Sequence, residues 1–277
     1  MKNTKLPFIV VLLTITLGLV SCEKADEKPD TSAAFEGAIA TNLFDDVFKQ
    51  ADNAAKLFVN EPALSKGHIL GFAEGCGTIT IDPIDDTFPK TIIIDFGDVN
   101  CTGIDLRARR GIIEAVISDW YRNEGCILTI TTTDYHVDDY GIAGTKTIIN
   151  NGLNASENLT FSVTVINGII SPPEGGAITW NTSRTNEWIS GADTKLNILD
   201  DVYEITGTAS GITSREKAYA MTIIKPLNVA LECPWIRSGT IEIISDPATI
   251  TLDYGDGHCD ANATATILGK TYPIVIR

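Results

Sequence analysis

The amino-acid sequence predicts a mainly β protein: a single antiparallel meander that forms a curved, closed or half-closed barrel-like sheet, with one N-terminal helix. From Gly71 onward, segments rich in Ile, Val and Thr are broken by turn residues every 8 to 14 positions. Residues 159–165 alternate apolar and polar side chains, which is the period of a strand with one buried face. Only the segment before Gly71 has helical periodicity. A two-sheet β-sandwich is the alternative fold.

The first 22 residues read as a lipoprotein secretion signal. Lys2 and Lys5 precede an apolar run over residues 6–20, which is shorter than the roughly 20 residues that a membrane-spanning helix needs. The run ends in Leu-Val-Ser before Cys22. We expect cleavage after residue 21 and lipid attachment at Cys22, so that the protein is anchored to the membrane. An uncleaved anchor helix is the alternative.

Residues 22–34 predict a lipidated flexible tether, because they are charged, contain proline and lack large apolar side chains. Apolar residues at helical spacing then predict a helix over 35–58 that covers one face or end of the sheet. Its side chains Asp45, Asp46 and Lys49 are expected to be exposed. No Pro/Gly/Ser-rich linker interrupts the rest, so residues 35–277 predict one domain.

The chain is strongly acidic, with a formal net charge of −15. Loss of Lys2 and Lys5 with the signal makes the charge of the mature protein −17. An acidic surface repels phosphate backbones, so we expect no nucleic-acid partner.

Cysteines flank two similar sequence units. The first runs from Cys76 to Cys101 and contains Ile-Asp-Phe-Gly-Asp. The second runs from Cys233 to Cys259 and contains Leu-Asp-Tyr-Gly-Asp. Export favours disulfides, and the repeat predicts Cys76–Cys101 and Cys233–Cys259. Cys126 is left over and is expected to be a buried, unreactive thiol.

A second repeat relates the segments that contain Gly144 and Gly207. Each glycine would start a strand in which a neighbouring chain approaches closely. The Asn-Gly pairs at 151–152 and 167–168 predict tight turns between strands.

Several phrases together resemble an uncharacterised family of lipoproteins from Bacteroidota. The phrases are residues 94–98, 143–147, 161–168, 178–180, 207–211 and 252–260. The resemblance extends over most of residues 70–277 and implies no known activity. Residues 23–27 also look like the acidic signals of surface-displayed lipoproteins in that phylum. The implied location is the outer membrane, at the cell surface or in the periplasmic leaflet.

The acidic turn of the second repeat is a candidate calcium site. Asp253, Asp256 and Asp260 bring oxygen ligands together beside glycines. No EF-hand loop or calcium-binding nonapeptide repeat is present. The alternative is a turn in which the aspartates accept hydrogen bonds from nearby backbone amides.

Residues 178–188 carry the candidate ligand site. Strand alternation places Trp180, Thr182, Arg184, Asn186 and Trp188 on one side. Indole faces with guanidinium and amide donors suit flat polar ligands such as sugar rings. The predicted ligand residues are Trp180, Arg184 and Trp188; in the alternative, the tryptophans pack in the core and Arg184 pairs with an acid.

The sequence contains no nucleophile, phosphate-loop or dinucleotide motif, and its three histidines lie far apart. We therefore expect no cofactor and a non-enzymatic envelope lipoprotein that binds a glycan or another envelope component through its β face. A structural or adhesive surface protein is the second hypothesis, and a glycan hydrolase with facing carboxylates is the third. A deep pocket favours the first hypothesis, and a fully packed β surface favours the second.

Overall fold

The computed structural model describes residues 30–60, 76–103, 105–194 and 199–276. The predicted signal peptide, Cys22 and most of the tether lie outside the described residues. Within them, no helix is long and apolar enough to cross a membrane.

The described part of the chain contains one long helix followed by fourteen strands. They are α1 (Ser32–Asn60), β1 (Thr78–Asp82), β2 (Lys90–Asp95), β3 (Cys101–Thr102), β4 (Ala108–Ile117), β5 (Ile127–Val137), β6 (Tyr140–Leu153), β7 (Leu159–Ser171), β8 (Ile178–Ser190), β9 (Val202–Ile212), β10 (Ala218–Ala230), β11 (Ser238–Ser245), β12 (Ala248–Asp256), β13 (Asn262–Ile267) and β14 (Lys270–Val275). The prediction of a mainly β fold with one N-terminal helix is confirmed.

All the described strands belong to one antiparallel sheet. Its order follows the chain from β1 to β14, except that the two-residue β3 lies off the path and pairs with β4. The meander is therefore confirmed, and the two-sheet sandwich does not describe this fold. The sheet is not closed into a barrel, because the described β1 and β14 do not pair with each other.

The predicted Asn-Gly turns are wrong. Asn151–Gly152 lies inside β6 and Asn167–Gly168 lies inside β7, and at both places the register between these two strands shifts. Gly152 and Asn167 have the positive φ angles that suit a turn, but here they form β-bulges that bend long strands. The strands are consequently longer than the turn signals indicated.

The sheet curves around α1. The helix contacts β2, β4, β5 and β6 from one half of the sheet and β8 and β11 from the other. Leu43, Val47 and Ala51 pack into the core as predicted, whereas Asp46 is buried rather than exposed. A periodic apolar stripe indicates one covered face, but a sheet that wraps the helix covers much more of its circumference.

Two glycines from the repeat allow neighbouring strands to approach closely, as predicted. Gly207 has a φ of 132°, and a Cβ atom there would lie 2.3 Å from the carbonyl oxygen of Ser183. Gly144 has a φ of 134°, and its Cβ would lie 2.9 Å from the Cα of Gly168. Gly207 also lies directly opposite Arg184 across the β8–β9 pair, where its Cβ would lie 2.7 Å from the Cα of Arg184.

Both predicted disulfides are present, Cys76–Cys101 and Cys233–Cys259. Cys126 is a free, buried thiol whose sulfur lies 3.1 Å from the backbone carbonyl of Asp119. Burial raises the pKa of this thiol, which disfavours the reactive thiolate.

Removal of the Cys233–Cys259 crosslink should destabilise the protein through the unfolded state. The cysteines are 26 residues apart in sequence, and release of a loop of this size lowers the free energy of unfolding by about 3 kcal/mol. Urea denaturation of the C233S/C259S double variant measures the change. A loss below about 1 kcal/mol, or a non-reducing peptide map that joins Cys101 to Cys233, would contradict the pairing and its role.

Candidate functional site

Helix α1 is exposed along a single narrow stripe. Between Ser32 and Asp52, the exposed side chains are Phe35, Asn42 and Lys49, and every other residue is buried or half-buried. A spacing of seven residues places all three on the same side of a helix. The sheet therefore leaves one long side of α1 uncovered.

A groove of about 750 Å³ runs along this stripe. The β3–β4 loop lines it with Asp105 and Arg107, the β5–β6 turn with Asp138 and the start of β6 with Tyr140, and the β10–β11 loop adds Pro234 and Trp235. The C-terminal strand contributes Ile274, Val275 and Ile276. This volume is within the usual range of ligand pockets. The C-terminal edge of the open sheet therefore borders the groove.

A smaller cavity of about 140 Å³ lies between α1 and the inner face of the sheet. It shares Asn42, Lys49, Arg107 and Trp235 with the groove, so the two spaces are neighbours. Much of its wall is aromatic or aliphatic and includes Phe48, Tyr121, Ile148, Phe161, Val163, Tyr203, Leu227 and Tyr254.

Lys146 on β6 brings a buried ammonium group to this cavity. Its Nζ donates to the Phe44 carbonyl at 3.0 Å and to Oδ1 of Asp45 at 3.1 Å, and it lies 5.3 Å from the centre of the Phe48 ring. Burial lowers the pKa of Lys146, although Asp45 opposes the change. The pKa of Asp45 is lowered in turn, because Lys146 and Arg184 outweigh the opposing effect of its own burial.

Arg184 on β8 is held by neutral groups and only loosely by a charge. Nε donates to the Thr182 hydroxyl at 3.1 Å, and Nη2 donates to the Thr41 hydroxyl at 2.9 Å. Its guanidinium lies over the Trp180 ring at 5.6 Å. Nη1 is 4.0 Å from Oδ2 of Asp45, beyond hydrogen-bond distance. The side chain is 8% exposed, and no described group accepts a hydrogen bond from Nη1.

The cavity lining contains more basic than acidic side chains although the protein is acidic. It contains four basic side chains, Lys49, Arg107, Lys146 and Arg184, and two carboxylates, Asp45 and Asp46. The formal charge of the lining is therefore +2, against −15 for the whole chain. Asn186 also lines the cavity, and its buried Oδ1 has no hydrogen-bond partner in the described structure. Such unsatisfied buried acceptors are rare in folded proteins.

A second set of charges fixes α1 to the sheet. Asp46 accepts from Nε and Nη2 of Arg109 at 3.2 and 2.6 Å, and from the Tyr135 hydroxyl at 3.0 Å. Asp105 accepts from Nη1 and Nη2 of the same arginine at 2.9 and 2.6 Å. The hydrogen bonds to Asp105 and Asp46 raise the pKa of Arg109 against its burial. Each charged group in this network already has a partner. The network therefore supports the site and does not itself bind the ligand.

The predicted β8 row does share one side, but that side faces α1. Trp180 and Trp188 are 1% and 4% exposed and do not line either space. Trp188 instead stacks on Tyr203 at 5.4 Å and under Arg122 at 4.5 Å. Arg184 is the predicted ligand residue that reaches the cavity. The ligand-binding assignment of the three residues stays a prediction.

The aspartates of the acidic turn mostly bind groups of their own hairpin. Asp253 accepts from the Gly255 amide at 2.9 Å and from the Thr240 hydroxyl at 3.1 Å, and Asp260 accepts from a backbone amide two residues further on. The first repeat has the equivalent bond from the Gly97 amide. Among the residues placed by the structure, no three His, Cys, Asp or Glu side chains gather as a metal site. Calcium binding at Asp253, Asp256 and Asp260 stays a prediction.

Sequence reasoning missed Lys146, Asp45 and Trp235. Lys146 carried a usable signal, because it occupies an inward position two residues before the buried Ile148. A charged residue at a core position of a strand indicates a buried partner or a site. Trp235 lies in the loop between β10 and β11 and offered no comparable pattern.

In three comparisons, the chain matches no protein-family model, no curated protein and no solved structure. The resemblance to Bacteroidota lipoproteins stays an expectation from the sequence.

Arg109→Met should strongly destabilise the protein, and Arg110→Met on the same strand should not. The first change leaves Asp46 buried without its cation, which costs about 3 kcal/mol or more. Arg110 pairs with the half-exposed Asp139 on the outside, where ion pairs contribute little. Urea denaturation of both variants measures the difference. Equal effects of the two changes would contradict the role assigned to Arg109.

The Asp45 carboxylate should make stability depend on acid pH. Because its pKa is lower in the folded state, its contribution is present above the unfolded value of about 4 and is lost as the pH falls through the folded value. Melting temperatures between pH 2 and 7 should therefore show Asp45→Asn less stable at pH 7 and converging with the wild type in acid. Asp256→Asn, at an exposed position, is the control. Parallel curves for the wild type and Asp45→Asn would contradict the prediction.

Proposed function

We propose that this chain is a non-enzymatic lipoprotein of the outer membrane that binds a ligand, a glycan or another envelope component, between α1 and the inner face of its sheet. The observation that carries the proposal is a cavity lined by Arg184 and by Asn186, whose buried Oδ1 lacks a hydrogen-bond partner in the described structure. Buried polar groups without partners cost free energy unless something binds them. The lipoprotein signal ending at Cys22 supports the envelope location.

Binding fits the site better than hydrolysis does. A glycosidase needs two carboxylates on either side of a substrate bond. Asp46 and Asp105 both bind Arg109 instead, and Asp138 and Asp139 form the tight turn between β5 and β6. None of these four acids is placed as a free acid or base in the cavity.

A structural or adhesive role is the second candidate, supported by the outer face of the sheet. Ten consecutive strands, from β5 to β14, each place one solvent-facing residue in a continuous row, and nine of the ten are Thr or Ser. The row is Thr129, Thr147, Thr164, Ser183, Thr208, Thr222, Glu242, Thr251, Thr266 and Thr271. Such a surface offers hydroxyl groups to a partner, although threonine also favours strands for intrinsic reasons.

Native mass spectrometry of the mature lipidated protein, isolated gently from its own envelope, tests the binding proposal. We expect a non-covalent mass in addition to residues 22–277 and lipid. Ala38 lines both spaces, so Ala38→Trp should remove this mass by occupying the inner cavity and narrowing the groove. Ala220→Trp on the outer face is the matched control and should retain it.

A wild-type protein that carries no extra mass would contradict tight binding and favour the adhesive candidate. An extra mass that Ala38→Trp retains and Ala220→Trp loses would place the ligand on the outer face instead.

A further inference from the structure

We infer that the ligand is a small organic carboxylate whose acid group binds Arg184 and whose body carries a hydrogen-bond donor for Asn186. The inference rests on the proposed function and names the class of ligand for the same cavity.

The contacts of Arg184 orient its guanidinium group to bind a planar anion. Thr182 and Thr41 fix its Nε and Nη2, and the Trp180 ring supports its face. These contacts leave both N–H groups of Nη1 and one of Nη2 without an acceptor among the described groups. A guanidinium that presents parallel N–H groups recognises a carboxylate through two hydrogen bonds.

Asp45 does not already occupy this position. Its Oδ1 is 3.1 Å from Lys146, whereas its Oδ2 is 4.0 Å from Arg184. Its closer partner is therefore the lysine. The cavity lining keeps a formal charge of +2 after both carboxylates are counted, which favours an incoming anion.

The walls of the inner cavity determine which chemical group can carry the carboxylate. The inner cavity, at about 140 Å³, is close to the size that accepts a benzene ring. Phe48, Ile148, Val163 and Tyr254 present apolar surface to the body of the ligand. A longer ligand would continue past Trp235 into the groove.

Asn186 requires that the ligand also carry a hydrogen-bond donor. Its Oδ1 is buried without a partner, and it lies two residues from Arg184 on the same inner face of β8. Along a strand this separation is about 6.6 Å. A hydroxyl group that far from the carboxylate would satisfy the acceptor.

Isothermal titration of the mature protein, purified without cargo, tests the inference with four probes and inorganic phosphate. We expect either 4-hydroxybenzoate or glucuronate to bind, and the one that binds shows whether the ligand is an aromatic acid or a sugar acid. Benzoate should bind more weakly than its hydroxylated form, and Asn186→Ala should remove that difference. Neutral benzamide should bind at least about tenfold more weakly than benzoate.

Arg184→Lys keeps the charge but loses the planar fork, and it should weaken carboxylate binding by about tenfold or more. Arg122→Lys is the matched control, because Arg122 also lies over a tryptophan, at 4.5 Å, but does not line the cavity. It should leave the affinity within about twofold. Melting temperatures establish that both variants are folded, and Lys146→Met provides a second loss of cavity charge if Arg184→Lys does not fold.

Three results would overturn the inference: equal binding of benzamide and benzoate, binding of phosphate alone, or no effect of either Arg184→Lys or Lys146→Met. A neutral cargo on the envelope-isolated protein, with no carboxylate binding, would overturn the ligand class but support the proposed function. Absence of both cargo and carboxylate binding would overturn both.

Discussion

The enclosure of α1 by a single curved sheet is the constraint on which the rest of the structure depends. A helix covered on nearly every side must bury some polar residues, and each of these needs a partner. Asp46 meets Arg109 and Tyr135, and Asp105 completes the coordination of the arginine. These bonds fix the rotation of α1. They consequently determine that Phe35, Asn42 and Lys49 are the side that faces solvent.

The candidate site is a consequence of incomplete closure. In a closed barrel, strand pairing would join β1 to β14; here those two described strands do not pair with each other, and the groove lies along the uncovered side of the helix. The inner cavity lies beside this groove, between the helix and the inner face of the sheet. The same architecture thus provides an entrance and an inner cavity. Neither needs a separate domain or lid.

The sequence predicted the meander, the helix, both disulfides and the common side of the β8 row, because all of these follow from periodicity or from repeats. It did not predict what covers that row. Alternation assigns Trp180 and Arg184 to one face, but only the three-dimensional path of α1 decides whether that face is open. Asp46 was expected at the surface for the same reason and is buried, whereas Asp45 keeps 41% of its side chain exposed. Its pairing with Lys146 joins residues 101 positions apart, a separation at which local patterns carry no information.

The charges in the cavity explain how binding and folding would support each other. Burial lowers the pKa of Lys146, Asp45 opposes this change, and the nearby cations Arg184 and Lys49 lower the pKa further, so positive charges lie close together at the interface between helix and sheet. An anion bound there would offset the repulsion and favour charged Lys146. It would also contact both α1 and β8, and a ligand that binds only the folded state stabilises it in proportion to its concentration. The basic residues that repel one another at this interface are therefore those that would give the ligand its affinity.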